Sequence, residues 1–450
     1  MKAQYILKIY LFAIFSLLWT GTVMAKTPST SLGNELSETG SPVSQSGNAD
    51  ISRSEVENRV AASNYDTMEK RASPVAGFGH KSEEAIAKER ERKASIAVIG
   101  PLTGDLKLFG NEASNGAEMA SDEFDAQGGI KGKEFELIVL DTKGEIIRAR
   151  QAFKAIINRN SIAVVGAATG EVSFSSTKAI NESQLIMVSA GSRRRLGDTG
   201  PYNFRITLRE KQGVDALIKY LKKEKNWKKF AIMSSVVNDY SIQLSADFKA
   251  GIINNDLEVS HELWLWSSRT TNISNDDSSI AAQVGKLKAS PPDALVFTGA
   301  GKEAGDLVRE LKKQGVNIPL VSSEDLMVPE FMKLGKDIVG TVIYSGFNPD
   351  SKRPKLKKFV KKYKKRFGSE PSRLAALSYD AYSLIAEAVI KSPTLKPSHV
   401  RKALMEVKGF EGVTGTISIT ESGESIKEPF LMEVRKVGRQ YKFVGVQDPK

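Results

Sequence analysis

Short apolar runs alternate with longer amphipathic stretches from residue 94 almost to the end of the sequence. The apolar runs have the length of β-strands, and they predict strands at SIAVIG (95–100), FELIVLD (135–141), IAVVG (162–166), LIMVSA (185–190), KFAIMSS (229–235), LEVSHELWL (257–265), ALVFTG (294–299), PLVSS (319–323) and GTVIYSG (340–346). The stretches between them have helical periodicity, for example RARQAFKAIINR and LAALSYDAYSLIAEAVIKS. This alternation predicts a parallel, doubly wound α/β fold. A folded part of roughly 350 residues exceeds one comfortable core, so two similar lobes are expected.

The beginning of the chain has the order of a secretory signal. Lys2 and Lys8 precede an apolar run from Ile9 to Trp19, and small residues follow up to Ala25. This order predicts a signal peptide at residues 1–25, cleaved after Ala25. The alternative is an uncleaved membrane anchor, because the apolar run could be stretched to a marginal span.

The composition of the next segment predicts a flexible tether at residues 26–93. They are rich in Ser, Gly, Thr and Asn up to about residue 80, and such a composition buries too little apolar surface to fold. The charged run SEEAIAKERERK (82–93) could form a short helix at its end. The chain has no cysteine, which excludes disulfides and a lipid on an N-terminal cysteine. We therefore expect a protein outside the cytoplasmic membrane, most simply in a bacterial periplasm.

The formal net charge of +12 is compatible with nucleic acid as a partner. Much of the excess positive charge lies in KRPKLKKFVKKYKKRFG (352–368). Apolar residues recur in this segment at helical spacing, and lysines fill the other faces. The pattern predicts an amphipathic surface helix with a solvated basic side. An exported location weakens the nucleic-acid alternative further, so no nucleic-acid partner is expected.

The sequence lacks the usual signs of catalysis and of cofactor binding. The three histidines, His80, His261 and His399, are far apart, and neither HExxH, GxSxG nor GxxxxGK[ST] occurs. The stretch VFTGAGKEAG (296–305) has the spacing GxGxxxG instead of the dinucleotide spacing GxGxxG, and it does not open the first βα unit. We therefore expect no metal, no cofactor and no enzyme. These glycines suit a sharp exit from a strand, and a loop that lines a cleft stays open as an alternative.

The order of segments resembles the leucine/isoleucine/valine-binding family of periplasmic receptors that serve bacterial ABC importers. The resemblance extends from Ala94 to about Val446, and its most specific part is IAVIGPLTGDLKLFGNEASNGAEMASDEFDAQGGIKGKEFELIVLD. The segments IAVVGAATG, LIMVSAGS, YNFRIT and SYDAY continue it in register.

The resemblance implies a type I periplasmic-binding-protein fold, with two lobes joined by a hinge of three strands and a ligand held between them. Each lobe would be a mostly parallel sheet flanked by helices. Lobe one would comprise residues 94–207 and 345–415, and lobe two residues 208–344 and 416–446. The crossings would lie near FRIT, VIYSG and GTISI.

The resemblance also implies ligand contacts in lobe one. Thr169 and Gly170 occupy the place where the family holds the ligand's α-carboxylate, with a hydroxyl and with amides at a helix start. The Ala190 carbonyl would accept a hydrogen bond from the ligand's ammonium group, and Ser192 would serve both ends of the zwitterion. The alternative for Thr169 and Ser192 is that they only cap turns.

In lobe two, Tyr240 lies where a family aromatic closes over the ligand, and Glu324 where an acid pairs with the α-amino group. The alternatives are a surface aromatic for Tyr240 and a helix cap for Glu324. Two positions depart from the family: Phe109 replaces a hydroxylated aromatic of many relatives, and Ala300 replaces a second aromatic wall. The latter loss leaves room for a larger ligand side chain or for another class of substrate.

These observations predict a monomeric solute-binding protein that binds a branched-chain amino acid or a related zwitterion and delivers it to the membrane permease of an ABC importer. The alternative is a protein of the same fold that acts as an envelope regulator or sensor through protein–protein contacts.

Overall fold

A computed structural model describes residues 82–166, 169–193, 195–236, 239–265 and 279–449. The predicted signal peptide, and the predicted tether up to residue 81, lie outside the described residues. The helices are α1 Glu83–Arg92, α2 Lys107–Asp125, α3 Ile146–Asn158, α4 Gly170–Ser183, α5 Glu210–Tyr220, α6 Asp239–Ile253, α7 Ile280–Ala289, α8 Gly301–Lys313, α9 Pro329–Met332, α10 Pro354–Phe367, α11 Arg373–Lys391 and α12 Pro397–Met405. The strands are β1 Ser95–Gly100, β2 Glu136–Asp141, β3 Ala163–Gly166, β4 Ile186–Ser189, β5 Asn203–Arg205, β6 Lys229–Ser235, β7 Glu258–Leu265, β8 Ala294–Phe297, β9 Leu320–Ser323, β10 Val342–Ser345, β11 Phe410–Gly412, β12 Gly415–Ile419, β13 Ser425–Ile426, β14 Phe430–Val437 and β15 Gln440–Gln447.

The first sheet has the strand order β2-β1-β3-β4-β5, and all of its strands run parallel. Every residue of β1, β3 and β4 is buried. Strands covered on both faces read as continuous apolar runs, which is the pattern that the sequence shows there. The parallel α/β prediction is therefore confirmed for this sheet.

The second sheet has the order β15-β14-β10-β9-β8-β6-β7. Strands β6 to β10 are parallel, whereas β14 pairs antiparallel with both β10 and β15. The parallel strands of this sheet were predicted from the sequence, whereas the antiparallel hairpin of β14 and β15 was not. Strands β11, β12 and β13 form a small third sheet, which the sequence reading noted only as a crossing near GTISI.

The hydrophobic cores follow the sheets. One core takes its residues from 94–206 and from 347–419, and the cores on the two faces of the second sheet take theirs from 208–344 and from 430–443. The chain therefore passes between the two groups at three places, near residues 207, 346 and 424. We call the part built on the first sheet lobe one and the part built on the second sheet lobe two.

Helix α1 is attached to lobe one by the buried side chain of Arg90. Its guanidinium donates to the carbonyl oxygens of Asn160, Ser161 and Leu395 at 3.1, 2.8 and 3.1 Å. Burial lowers the pKa of Arg90 to about 10, because these neutral acceptors replace only part of the lost hydration. The charged run before β1 therefore packs as a fixed element from residue 83 onward.

The predicted basic amphipathic helix is present as α10. It buries Leu356, Phe359 and Tyr363 against lobe one. Two of its lysines pair with acids: Lys362 with Glu123 at 2.7 Å and Lys364 with Glu370 at 2.6 Å. In the described ranges, no helix is long and apolar enough to cross a membrane.

Candidate functional site

The predicted site residues of lobe one all follow parallel strands at the carboxyl edge of the first sheet. Thr169 and Gly170 come after β3, and Ala190 and Ser192 come after β4. In open α/β sheets, this edge is where ligands bind, particularly between strands whose connections diverge. The fold therefore groups residues that are about twenty positions apart in the sequence.

The start of α4 lies directly beside the loop after β4. Thr169 is the residue before the first helical turn, its side chain makes no capping hydrogen bond, and its carbonyl accepts from the Ser173 hydroxyl at 3.1 Å. A Cβ atom on Gly170 would lie 3.4 Å from Ser192 Cα. The helix start therefore lies next to Ser192, at a spacing of ordinary van der Waals contact.

Ser192 and Ala190 are buried in a tight turn. The Ser192 amide donates to Ser189 Oγ at 3.1 Å, and the Ser192 carbonyl accepts from the Thr207 hydroxyl at 2.8 Å. The backbone of this turn is therefore fixed both by β4 and by the first crossing between the lobes.

The predicted residues of lobe two lie at the corresponding edge of the second sheet. Tyr240 is in the first turn of α6 after β6, Ala300 precedes α8 after β8, and Glu324 follows β9. The loop of Ala300 is a packing feature: a Cβ atom on Gly299 would lie 2.4 Å from Phe297 Cζ, and one on Gly301 would lie 2.2 Å from Val328 Cγ2. These glycines are explained by close packing, with no dinucleotide needed.

Arg193 joins the two edges. It comes from the lobe-one turn and donates to the Tyr240 hydroxyl at 2.9 Å and to Asp325 Oδ1 at 2.6 Å in lobe two. Its Cζ atom lies 5.2 Å from the centre of the Tyr240 ring, a cation–π distance. Burial disfavours the charge, but the surrounding acids, led by Asp325, outweigh burial and hold the pKa of Arg193 well above its ordinary value.

Glu324 is satisfied by several groups of the protein. Arg193 and Arg373 lie 3.5 and 3.2 Å from Oε1, while the Ser345 hydroxyl and the Gly346 amide donate to Oε2 at 2.9 and 2.8 Å. Burial opposes the ionised carboxylate, yet Arg373 and the other donors prevail and lower its pKa. Glu324 is therefore a charged group with internal counter-ions.

A buried ion pair supports the Arg193 turn from behind. Arg205 Nε lies 2.6 Å from Glu424 Oε2, and Arg205 Nη1 donates to the Arg193 carbonyl at 2.8 Å. The other Glu424 oxygen accepts from the amides of Leu196 and Gly197 at 2.9 and 3.1 Å. The turn that carries Arg193 is thus bonded to two of the three crossings.

The remaining predicted residues are less closely joined to this group. Phe109 lies in the first turn of α2 with its side chain exposed, and the Ala300 amide donates to Glu303 at 2.9 Å. Across the described ranges, no hydrogen bond, ion pair or ring contact connects Phe109 or Ala300 with Arg193 or with the partners of Arg193.

Three charged residues of the candidate site were not predicted from the sequence: Arg193, Asp325 and Arg373. The run Arg193–Arg195 directly after Ala190–Ser192 was the available signal.

The family follows from a comparison of the whole folded part. A family model described as periplasmic binding protein matches residues 93–439. The chain belongs to the periplasmic binding protein family. This family consists of substrate-binding proteins of ABC transporters, which are not enzymes. The protein described here is therefore a substrate-binding protein and not an enzyme. Within the described residues, no cluster of His, Asp and Glu could hold a metal ion.

Relatives of this periplasmic binding protein match over most of their length. It is 27% identical to "Leu/Ile/Val-binding protein homolog 3" of Brucella melitensis, over 73% of this chain and 88% of the relative. It is 26% identical to "Leu/Ile/Val-binding protein BraC3" of Rhizobium johnstonii, over 77% and 92%. The crystal structure of the branched-chain amino acid transporter substrate-binding protein LivJ from Streptococcus pneumoniae, in complex with isoleucine, superimposes with a TM-score of 0.64 at 24% identity, over 78% of this chain and 99% of LivJ. The type I fold predicted from the sequence is thereby confirmed.

Proposed function

We propose that this protein is an extracytoplasmic solute-binding protein of an ABC importer, and that it captures a branched-chain amino acid or a related zwitterion between its lobes. The observation that carries the proposal is the opposite chemistry of the two facing edges. Lobe one offers helix-start amides and hydroxyls, and lobe two offers an aromatic ring and carboxylates. The names of the relatives point to the same ligand class.

The carboxylate of the ligand belongs at the start of α4. The first amides of a helix lack partners within the helix, and the helix dipole is positive at this end. Thr169 and Gly170 are at this position, and Ser192 lies against it. A carboxylate there would accept from the amides and from the two hydroxyl groups.

The ammonium group of the ligand belongs at the opposite edge. An ammonium group in a closed cleft requires an acidic partner, because an unpaired charge loses its hydration there. Glu324 and its neighbour Asp325 supply carboxylates, Tyr240 covers the group from one side, and the Ala190 carbonyl accepts from the other. Phe109 and Ala300 are assigned to the space around the ligand side chain, where Ala300 leaves room.

Closure would follow from the ligand's contacts with both lobes. A ligand that binds both edges favours the state in which the edges are close, and it does so by its differential affinity for that state. The three crossings are the positions where the backbone can bend. The closed protein would then deliver its ligand to the membrane permease of the importer, acting as a monomer in the periplasm after cleavage of the predicted signal.

Thermal unfolding of the purified protein, measured against a panel of amino acids, amides, short peptides and aromatic acids, tests this proposal. A ligand that binds only the native state raises stability by about 2.7 kcal/mol at a hundredfold excess over its dissociation constant. We expect one class of zwitterion to raise the melting temperature. Ser192→Ala and Tyr240→Ala should reduce this effect, whereas Ser175→Ala, on the exposed side of α4, should leave it unchanged.

A flat response to the whole panel would contradict small-solute capture. If the same protein then retained an envelope protein in a pull-down, the regulator or sensor function would take its place.

A further inference from the structure

The protein's own cation occupies the place where the proposed function needs the ligand's ammonium group. The Arg193 guanidinium lies 2.6 Å from Asp325 and over the ring of Tyr240. A ligand ammonium that used these same groups would come within a few ångströms of the guanidinium. Two like charges so close repel each other strongly in a partly buried site, so both cations cannot bind there together.

Three acids surround Arg193: Glu210, Glu324 and Asp325. If the Arg193 side chain withdrew, they would keep different partners. Glu324 would keep Arg373 at 3.2 Å together with the Ser345 and Gly346 donors. Glu210 would keep Arg205 at 3.6 Å. Asp325 would keep only the Ser323 hydroxyl, at 2.7 Å, among the side-chain partners found in the described part of the chain. Withdrawal of Arg193 thus leaves one carboxylate without a cation, and that carboxylate is Asp325.

We propose that Arg193 is a built-in competitor of the ligand's ammonium group, and that Asp325 is the carboxylate for which the two cations compete. The inference rests on the proposed function, since it concerns the same cleft. It assigns to Asp325 the role of pairing with the ligand's ammonium group, and to Arg193 the role of lowering the affinity for ligands that carry one.

Arg193 competes effectively because its guanidinium is tethered to a backbone that is itself held in place. Its carbonyl accepts from Arg205, and the next turn is held by Glu424. A tethered group is present at a high effective concentration wherever its tether can reach. A free ligand must therefore bring both an ammonium group for Asp325 and a carboxylate for the α4 start.

The two classes of ligand should respond differently to this exchange. A carboxylic acid without an ammonium group leaves Arg193 in place and gains only the contacts of lobe one. A zwitterion replaces the guanidinium and gains contacts with both lobes. Arg193 should lower the affinity for every zwitterion and leave the affinity for simple acids almost unchanged.

Isothermal titration calorimetry of the full protein tests the proposal with two probes, L-leucine and 4-methylpentanoate, which is leucine with hydrogen in place of the ammonium group. We expect Arg193→Gln to bind leucine about tenfold more tightly than the original protein, and 4-methylpentanoate equally well within about twofold. Asp325→Asn should weaken leucine binding by about tenfold or more. The matched control is Arg195→Gln, which removes an exposed cation from the same turn.

The outcomes separate this inference from the proposed function. Tighter leucine binding by Arg193→Gln, or leucine binding by this variant alone, supports the competition. Unchanged or weaker leucine binding overturns it while leaving amino-acid capture intact, and weaker binding of both probes would mean that Arg193 holds the carboxylate. Absence of leucine binding in the original protein and in the variant, together with a flat response to the whole panel of solutes, removes the proposed function and this inference together.

A second variant covers the case in which Arg193→Gln does not fold. Arg193→Lys keeps the charge but loses the planar, multidentate guanidinium, so it should hold Asp325 less firmly. We expect leucine to bind this variant more tightly than the original protein, by a smaller factor than for Arg193→Gln. A weaker affinity would overturn the proposal.

Discussion

Arg205 and Glu424 form an ion pair of 2.6 Å in which both side chains are only 2% exposed, although 219 positions separate them in the sequence. One residue lies at the first crossing between the lobes and the other at the third. Their bond holds two crossings at a fixed distance and orients the turn that carries Arg193. The geometry of the cleft thus depends on a contact outside it.

Glu424→Gln should destabilise the protein strongly, because the buried Arg205 guanidinium loses its acidic partner at 2.6 Å and keeps only Glu210, at 3.6 Å. Removing one member of a buried ion pair typically lowers the free energy of unfolding by about 3 to 5 kcal/mol. Urea denaturation measures the loss. Asp215→Asn is the control: it removes the Lys211–Asp215 pair, which has a similar distance of 2.7 Å but is exposed, and should change stability by about 0.5 kcal/mol or less. Equal effects of the two changes would show that burial does not govern the Arg205 pair.

Lys427→Met should alter the pH dependence of stability. Burial lowers the pKa of Lys427 to about 8, although Asp380 and Glu324 favour its charge and Arg373 and Arg353 add to the lowering. Below this pH, both the folded and the unfolded protein carry the proton, and the full penalty of burying the charge applies. Above it, the folded protein loses the proton while the unfolded protein keeps it up to about pH 10.4, so stability rises by about 1.4 kcal/mol per pH unit.

Urea titrations of the original protein and of Lys427→Met between about pH 7 and 10 measure this contribution. The difference between the two proteins should change with pH in the direction stated, with the original protein gaining on the variant as pH rises. A difference that stays constant across this range would contradict the lowered pKa. Lys427 also donates to the Thr414 hydroxyl at 2.6 Å, and this hydroxyl donates to Asp380 at 2.6 Å. The loss of this chain of bonds also changes stability, so the test is the trend of the difference with pH and not its size at one pH.

Arg90→Met should loosen helix α1 from lobe one. The change removes three hydrogen bonds to backbone carbonyls and leaves those acceptors buried, so we expect a loss of about 3 kcal/mol in the free energy of unfolding. Hydrogen exchange of residues 83–92 should speed up in parallel. Arg92→Met changes an exposed arginine of the same helix and should have almost no effect on either measurement. Slow exchange that persists in Arg90→Met would mean that apolar packing alone holds the helix.

Replacing a helical glycine by alanine should lower stability at one position and raise it at another. A Cβ atom on Gly116 would lie 2.0 Å from the Ala375 carbonyl oxygen, so Gly116→Ala forces α2 away from α11 and should cost about 1 to 3 kcal/mol. The nearest atom to a Cβ on Gly285 would be the end of the Gln314 side chain at 3.9 Å. Gly285→Ala should therefore stabilise α7 by about 0.5 to 1 kcal/mol, because alanine favours helix. Thermal unfolding of both variants checks the signs, and a gain from both would contradict the close approach of α2 and α11.

Most of the parallel strands could be predicted because they are short, largely apolar runs. Residues 95–100 and 229–235 are buried almost throughout, and burial on two faces leaves a pattern that needs no knowledge of the partner strands. Strand β15 of the hairpin escaped prediction for the opposite reason. Much of β15 is exposed or half-buried, its polar residues interrupt the run, and its pairing depends on the neighbouring strand.

The edges of the site could be predicted, while its centre could not. The resemblance to the family singled out Ser192, Tyr240 and Glu324, and each of them follows a parallel strand at a sheet edge. The position of the Arg193 side chain depends on which acids the other lobe presents, and two of them, Glu324 and Asp325, lie more than 130 positions away. Nothing local in the sequence distinguishes Arg193 from Arg195, which pairs with Asp198 in its own turn.

The strand order of the second sheet constrains the production of this protein. Strand β10 finds its partner β14 only after three helices and three short strands have followed it in the chain. Until residues 430–437 arrive, one edge of β10 offers unpaired amides and carbonyls, and open sheet edges of this kind promote aggregation. Cells that make this protein in quantity would therefore benefit from a chaperone that holds the chain until synthesis has passed β15.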